Sequence, residues 1–175
     1  MSWTWVGSFR IREYLENPAQ AWPPEFNAVY VVSEDAWTAG NGPNAAFYVG
    51  TSYTRRFRAR IGDLVADMLG LGSSDFAAHH SGGFQIWKHW YAECRRNPLD
   101  LFLGWWVQNE GGDCVVCAEI FLWESLGQPR LNGGRPHHKK NNYFSCLCMQ
   151  RPSIDQGRCC CSFRSLDGQW RLRSG

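Results

Sequence analysis

The sequence predicts a small α/β fold: a three-stranded, mainly antiparallel sheet flanked by helices, with an irregular, cysteine-rich C-terminal tail. Three observations point there. Short apolar runs of β-branched and aromatic residues occur at "AVYVV" (28–32), "AAFYVG" (45–50) and "LDLFLGWWVQN" (99–109). Segments with apolar residues at three- and four-residue steps lie between and after them. Beyond "QPRLNGGRPHHKKNN" the regular patterning fades. A chain of 175 residues fits one domain with a real core.

Residues 1–27 read as an N-terminal helix and a proline-rich lead-in. Phe9, Ile11, Tyr14 and Leu15 have helical spacing, and "NPAQAWPPEF" stops the helix. The strands at 28–32 and 45–50 flank a loop rich in Gly, Asn and Pro, which predicts a hairpin with a long turn. From Thr51 to Leu71 the pattern turns helical through Phe57, Ile61, Leu64, Val65, Met68 and Leu69. "GLGSSDFAAHHSGGF" reads as a loop, and "FQIWKHWYAECRRN" as a helix ended by Pro98. A strand at 99–109 follows. "CVVCAEIFLWESLG" is then a helix, with Asp113 placed to cap it and Gly127 to end it. The core is thus expected over 28–135 and the basic, cysteine-rich tail over 136–175.

The net charge of +2 hides an asymmetry. Residues 1–129 hold nine Lys/Arg against fourteen Asp/Glu, and residues 130–175 hold nine against two. A basic tail on an acidic body is the electrostatic footprint of a nucleic-acid partner; its plainer reading is a solvated tail. The apolar runs are too short to cross a bilayer, so no membrane association is expected. The N-terminus lacks the features of a signal peptide, which implies a cytoplasmic protein whose eight cysteines stay reduced.

Phosphodiester hydrolysis needs a deprotonated water, neutralisation of charge on phosphorus and a stabilised leaving oxygen. Tyrosine serves the first if nearby cations lower its pKa. Arginine suits the second through its planar fork. One carboxylate holding a magnesium-like ion suits the third, because Mg²⁺ keeps most of its waters. "VYVV", then "FYVG", then Arg58 ten residues after Tyr48, then "AEIFLWESLGQPRLN" (118–132) carry these residue types in that order.

This series resembles the GIY-YIG nuclease superfamily from about Ala28 to Asn132. The resemblance implies a divalent-metal-dependent endonuclease, with DNA as the expected substrate. Tyr30 would activate the attacking water, and Tyr48 would line the site. Arg58 would stabilise the pentavalent phosphate. Glu119 would hold one Mg²⁺ or Mn²⁺, and Asn132 would brace the site. The first motif lacks its glycine, having Ala28 and Val29 before Tyr30, and eighteen residues separate the two tyrosines. Where many members have a histidine after the arginine, this chain has Gly62, so His79 or His80 is the candidate replacement. Taken singly, each tyrosine reads as packing and each arginine as a solvated helix face. Glu119 among apolar residues is the exception, since a buried carboxylate is costly unless paired or metal-bound.

Further phosphate contacts are expected from Arg55, Arg56, Arg60, His79, His80, Lys88, Arg135, Lys139 and Lys140. Cys146, Cys148, Cys159 and Cys161 would form a structural Zn²⁺ site in the tail, although their spacing is not that of well-characterised zinc modules. "CVVC" (114–117) reads better as buried thiols than as a redox pair. Two other functions compete: a non-catalytic nucleic-acid-binding module with a zinc-stabilised tail, and a redox or metal-handling protein.

Overall fold

The computed structural model describes residues 3–17, 28–36, 46–52, 56–72, 80–108 and 115–136. The tail cysteines, Arg55, His79, Asp113, His137, His138, Lys139 and Lys140 lie outside the described residues.

The sheet has four strands rather than three: β1 (Trp3–Arg10), β2 (Ala28–Ser33), β3 (Ala46–Ser52) and β4 (Phe102–Gln108). Their order is β1-β4-β2-β3, and each neighbouring pair is antiparallel. The extra strand is β1, which takes Phe9 from the expected helix and leaves α1 only Ile11–Glu16. Its register against β4 slips between Val6 and Phe9, around Gly7, whose φ is +116°. A bulge of this kind breaks the period-two pattern by which a strand is recognised.

β2 is central and buried at every position. Its even residues, Ala28, Tyr30 and Val32, enter one core with Ile11, Tyr14, Phe57, Leu64, Ile86 and Trp105. Val29 and Val31 enter a second core with Val49, Trp106, Val115, Ala118 and Leu122. Helices α2 (Phe57–Met68) and α3 (Ser81–Ile86) therefore cover one face, and α4 (Val115–Ser125) covers the other. Full burial of side chains such as Leu64 and Ile86 contributes roughly 1.5–3 kcal/mol each.

Two local departures from regularity shape the site. The register between β2 and β3 shifts at Val32/Ser33, where Val32 opposes Tyr48 and Ser33 opposes Ala46. Phe47 is the extra residue, so Phe47 and Tyr48 both reach the α2/α3 core although they are adjacent. The expected loop before residue 84 ends earlier than the sequence suggests. α3 starts at Ser81, its first turn is "SGG", and it continues as π-helical turns over Trp87–Glu93.

Candidate active site

Tyr30 sits at the middle of β2, opposite Gly50 on β3 and Trp105 on β4. Its ring lies across Gly50: a β-carbon there would come within 2.4 Å of the Tyr30 hydroxyl. The glycine of "YVG" is therefore the space that the first tyrosine fills. Tyr48 is packed in the same way against Gly82, where a β-carbon would meet its ring at 2.3 Å. The two tyrosine rings are 6.1 Å apart between centroids.

His80 fixes the hydrogen-bond directions. It caps α3, its Nδ1 accepting from the Gly83 N–H at 3.2 Å. Nε2 must then carry the ring proton, and it donates to the Tyr30 hydroxyl oxygen at 2.6 Å. The backbone N–H of His80 donates to the buried carboxylate of Asp67 on α2. Tyr30 also hydrogen-bonds Arg60 and donates its own proton to Tyr48. Tyr48 oxygen accepts a further bond from the hydroxyl of Ser81, which is exposed.

His80, expected to reach substrate from a loop, is instead fully buried at 0 % exposure and acts through Tyr30. Burial, and then the nearby Arg60 charge, lower its pKa to about 3, so the ring is neutral at physiological pH. Cation lowering of the tyrosine pKa is also not what the structure has. Burial raises Tyr30 well above 10 and raises Tyr48 to about 12, against the opposing influence of Arg60. One guanidinium is not enough to offset the desolvation of a phenolate.

The arginine beside the tyrosines is Arg60, not Arg58. α2 buries Phe57, Ile61, Leu64, Val65 and Met68. At about 100° per residue, positions 58 and 60 flank that stripe on opposite sides. Arg58 is exposed on the flank that influences Tyr14. Arg60, on the other flank, is partly buried against the tyrosine pair. Arg56 is the exposed residue preceding α2.

Glu119 approaches from α4, on the opposite face of the sheet. Its carboxylate accepts a hydrogen bond from Thr51, the residue after "YVG", and feels the charge of Arg60. Burial pushes its pKa up to about 7, and these two partners only partly counter it. β3 is an edge strand, and beside it Glu119 lies within electrostatic range of Tyr30, Tyr48 and Arg60. Asn132 closes that edge. Its Oδ1 accepts from the Val49 N–H at 2.9 Å and its Nδ2 donates to the Val49 carbonyl at 2.7 Å. The side-chain amide thereby takes the place of a further strand.

The remaining candidates lie apart from this network. Lys88 is exposed on the π-helical turns. Arg135 is paired with Glu124, its Nη2 2.7 Å from Oε1. Cys117 is buried, consistent with packing, and Cys114 lies outside the described residues.

Glu119 fits a single hard cation on chemical grounds: a partly buried carboxyl whose hydrogen-bond partner is the Thr51 hydroxyl keeps acceptor capacity to spare. Among the described residues no group of three or more His, Cys, Asp or Glu side chains could hold a metal. A site here would therefore rely on one protein carboxylate with water and substrate oxygens. No helix among the described residues is long and apolar enough to cross a membrane. The chain matches no protein-family model, no curated protein and no solved structure. Thr51, Ser81 and Asp67 belong to the network but were not singled out in the sequence. Only the position of Thr51, directly after the glycine, and of Ser81, directly after His80, hinted at them.

Proposed function

We propose that the protein is a divalent-metal-dependent phosphodiester hydrolase of the GIY-YIG type acting on nucleic acid, with DNA the preferred substrate. The observation that carries this reading is a hydrogen-bonded set of Tyr30, Tyr48 and Arg60 with Glu119 in electrostatic range of all three, although they come from two strands and from helices on opposite faces.

Arg60 takes the role assigned above to Arg58, neutralising charge that builds on phosphorus in the transition state. Its bond to Tyr30 orients the guanidinium as well as the phenol. Tyr30 already accepts from His80, and Tyr48 accepts from Tyr30 and Ser81. The Tyr48 hydroxyl proton is consequently the donor left for a phosphate oxygen or attacking water. His80 and Asp67 are positioning residues, holding Tyr30 in one orientation. Asn132 holds the Val49 backbone, and so the rise of β3 that carries Tyr48.

Glu119 would hold the Mg²⁺ or Mn²⁺. When bound, the ion supplies the second positive charge that favours hydroxide and phenolate forms and stabilises the leaving oxygen. The test is nicking of supercoiled plasmid with Mg²⁺ or Mn²⁺ by wild type and Glu119→Gln. Metal-dependent nicking that falls by at least about a hundredfold in the variant supports the reading. Retained DNA binding with no cleavage in either metal would favour a non-catalytic binding module instead.

A further inference from the structure

The π-helical turns that extend α3 carry a second constellation, separate from the tyrosine network. His89 Nδ1 lies 3.0 Å from Glu93 Oε2, and Cys94 Sγ lies 3.9 Å from His89 Nε2. An ionised carboxylate can only accept, so Nδ1 carries the ring proton. In the neutral ring the Nε2 lone pair then faces the Cys94 thiol. Nucleophile, base and orienting carboxylate stand in the order that activates a thiol.

Helix geometry creates this arrangement. In an α-helix, residues five apart point about 140° away from each other. Here the Cys94 N–H bonds the His89 carbonyl at 3.1 Å, five residues back, and this wider turn returns residue 94 to the side of residue 89. The end of the segment is also anchored. Arg96 stacks over Trp90 at 4.8 Å and pairs with Glu34 at 2.6 Å. Cys94 is exposed, whereas Cys117, the other cysteine among the described residues, is buried.

We propose that Cys94 is a modification site, a thiol that His89, oriented by Glu93, deprotonates for attack on hydroperoxides. His89 Nε2 takes the thiol proton, and the sulfur electron pair attacks one peroxide oxygen. An S–O bond forms and the O–O bond breaks. The departing oxygen takes the proton back from His89 and leaves as water or an alcohol. Sulfur is oxidised by two electrons to the sulfenic acid, and the peroxide is reduced by two.

The test uses the full-length chain, hydrogen peroxide and a dimedone trap, with the adduct at Cys94 quantified by peptide mass spectrometry. A positioned general base that takes the thiol proton during attack should accelerate tagging by at least about tenfold. Native wild type should be tagged that much faster than His89→Ala, with Glu93→Gln between them. Native wild type should also outpace wild type unfolded in urea, a comparison that needs no variant to fold. Equal rates in native and unfolded wild type, or in wild type and His89→Ala, would overturn the proposal. A Glu93→Gln rate equal to wild type would overturn the part given to the carboxylate.

Discussion

Replacing Glu119 with glutamine removes a carboxyl whose burial should be visible in the pH dependence of stability. Its ordinary pKa is 4.5 and its value in the folded chain is about 7. Between those values the folded state keeps a proton that the unfolded state has released. The contribution of Glu119 is therefore fully present below pH 4.5 and is lost as pH rises through about 7. The slope for one such group is about 1.4 kcal/mol per pH unit. Across this interval the loss comes to about 2–3 kcal/mol, with partial exposure of the carboxyl favouring the lower figure. His80 runs in the opposite direction. Its ordinary value is 6.5 and its folded value about 3, so its contribution is present above pH 6.5 and is lost as pH falls toward 3. Between pH 4.5 and 6.5 the two slopes oppose each other in wild type. In Glu119→Gln only the His80 slope remains. Urea denaturation at pH 4.5, 5.5, 6.5 and 7, in buffer with a chelator, measures both proteins. The variant-minus-wild-type difference cancels the other titrating groups. It should grow by about 2–3 kcal/mol from the lowest pH to the highest. A difference that stays flat would refute the burial of Glu119 and with it the shape of the site.

Three further outcomes are expected. At pH 7.5, millimolar Mg²⁺ or Mn²⁺ should raise the thermal midpoint of wild type but not of Glu119→Gln, following the mass-action relation for a ligand of the folded state; equal shifts in both would place the ion elsewhere. Gly50→Ala forces a methyl group against the Tyr30 hydroxyl and should destabilise the fold by about 1–3 kcal/mol, read by urea denaturation, with a neutral result contradicting the ring-over-glycine packing. Asn132→Ala leaves the Val49 N–H and carbonyl unpaired at the sheet edge. It should cost about 1–3 kcal/mol in the same assay, and hydrogen exchange at Val49 should rise.

Much of this site was legible in the sequence, and the failures have specific causes. Tyr30, Tyr48 and Glu119 follow from motif order; the structure sets the two tyrosines in one core with Glu119 in electrostatic range from the other face, while Asn132 pairs with the Val49 backbone. Motif spacing points to Arg58 rather than Arg60 because the two positions are about equally displaced from the apolar stripe of α2. Periodicity cannot say which flank meets the sheet edge. β1 escaped notice because its bulge at Gly7 breaks the alternation, and because Phe9 and Ile11 mimic a helical repeat across the strand-to-helix junction. His80 reads as a loop residue in the sequence because histidine is an unusual helix cap. Nothing local distinguishes "HHSGG" from a turn until Gly82 and Gly83 are seen packed against Tyr48 and α2. The direction of the tyrosine pKa shifts was also out of reach, since it depends on how deeply the hydroxyls are buried.

The most direct test of the central claim compares two arginines two residues apart. Plasmid cleavage rates in Mn²⁺ should be measured for wild type, Arg60→Ala and Arg58→Ala, each verified as folded by circular dichroism. Loss of the guanidinium beside the tyrosines should slow Arg60→Ala by about 10²–10³-fold, while Arg58→Ala stays within a few-fold of wild type. Wild-type rates in Arg60→Ala alongside a large loss in Arg58→Ala would contradict the assembly of the active site described above.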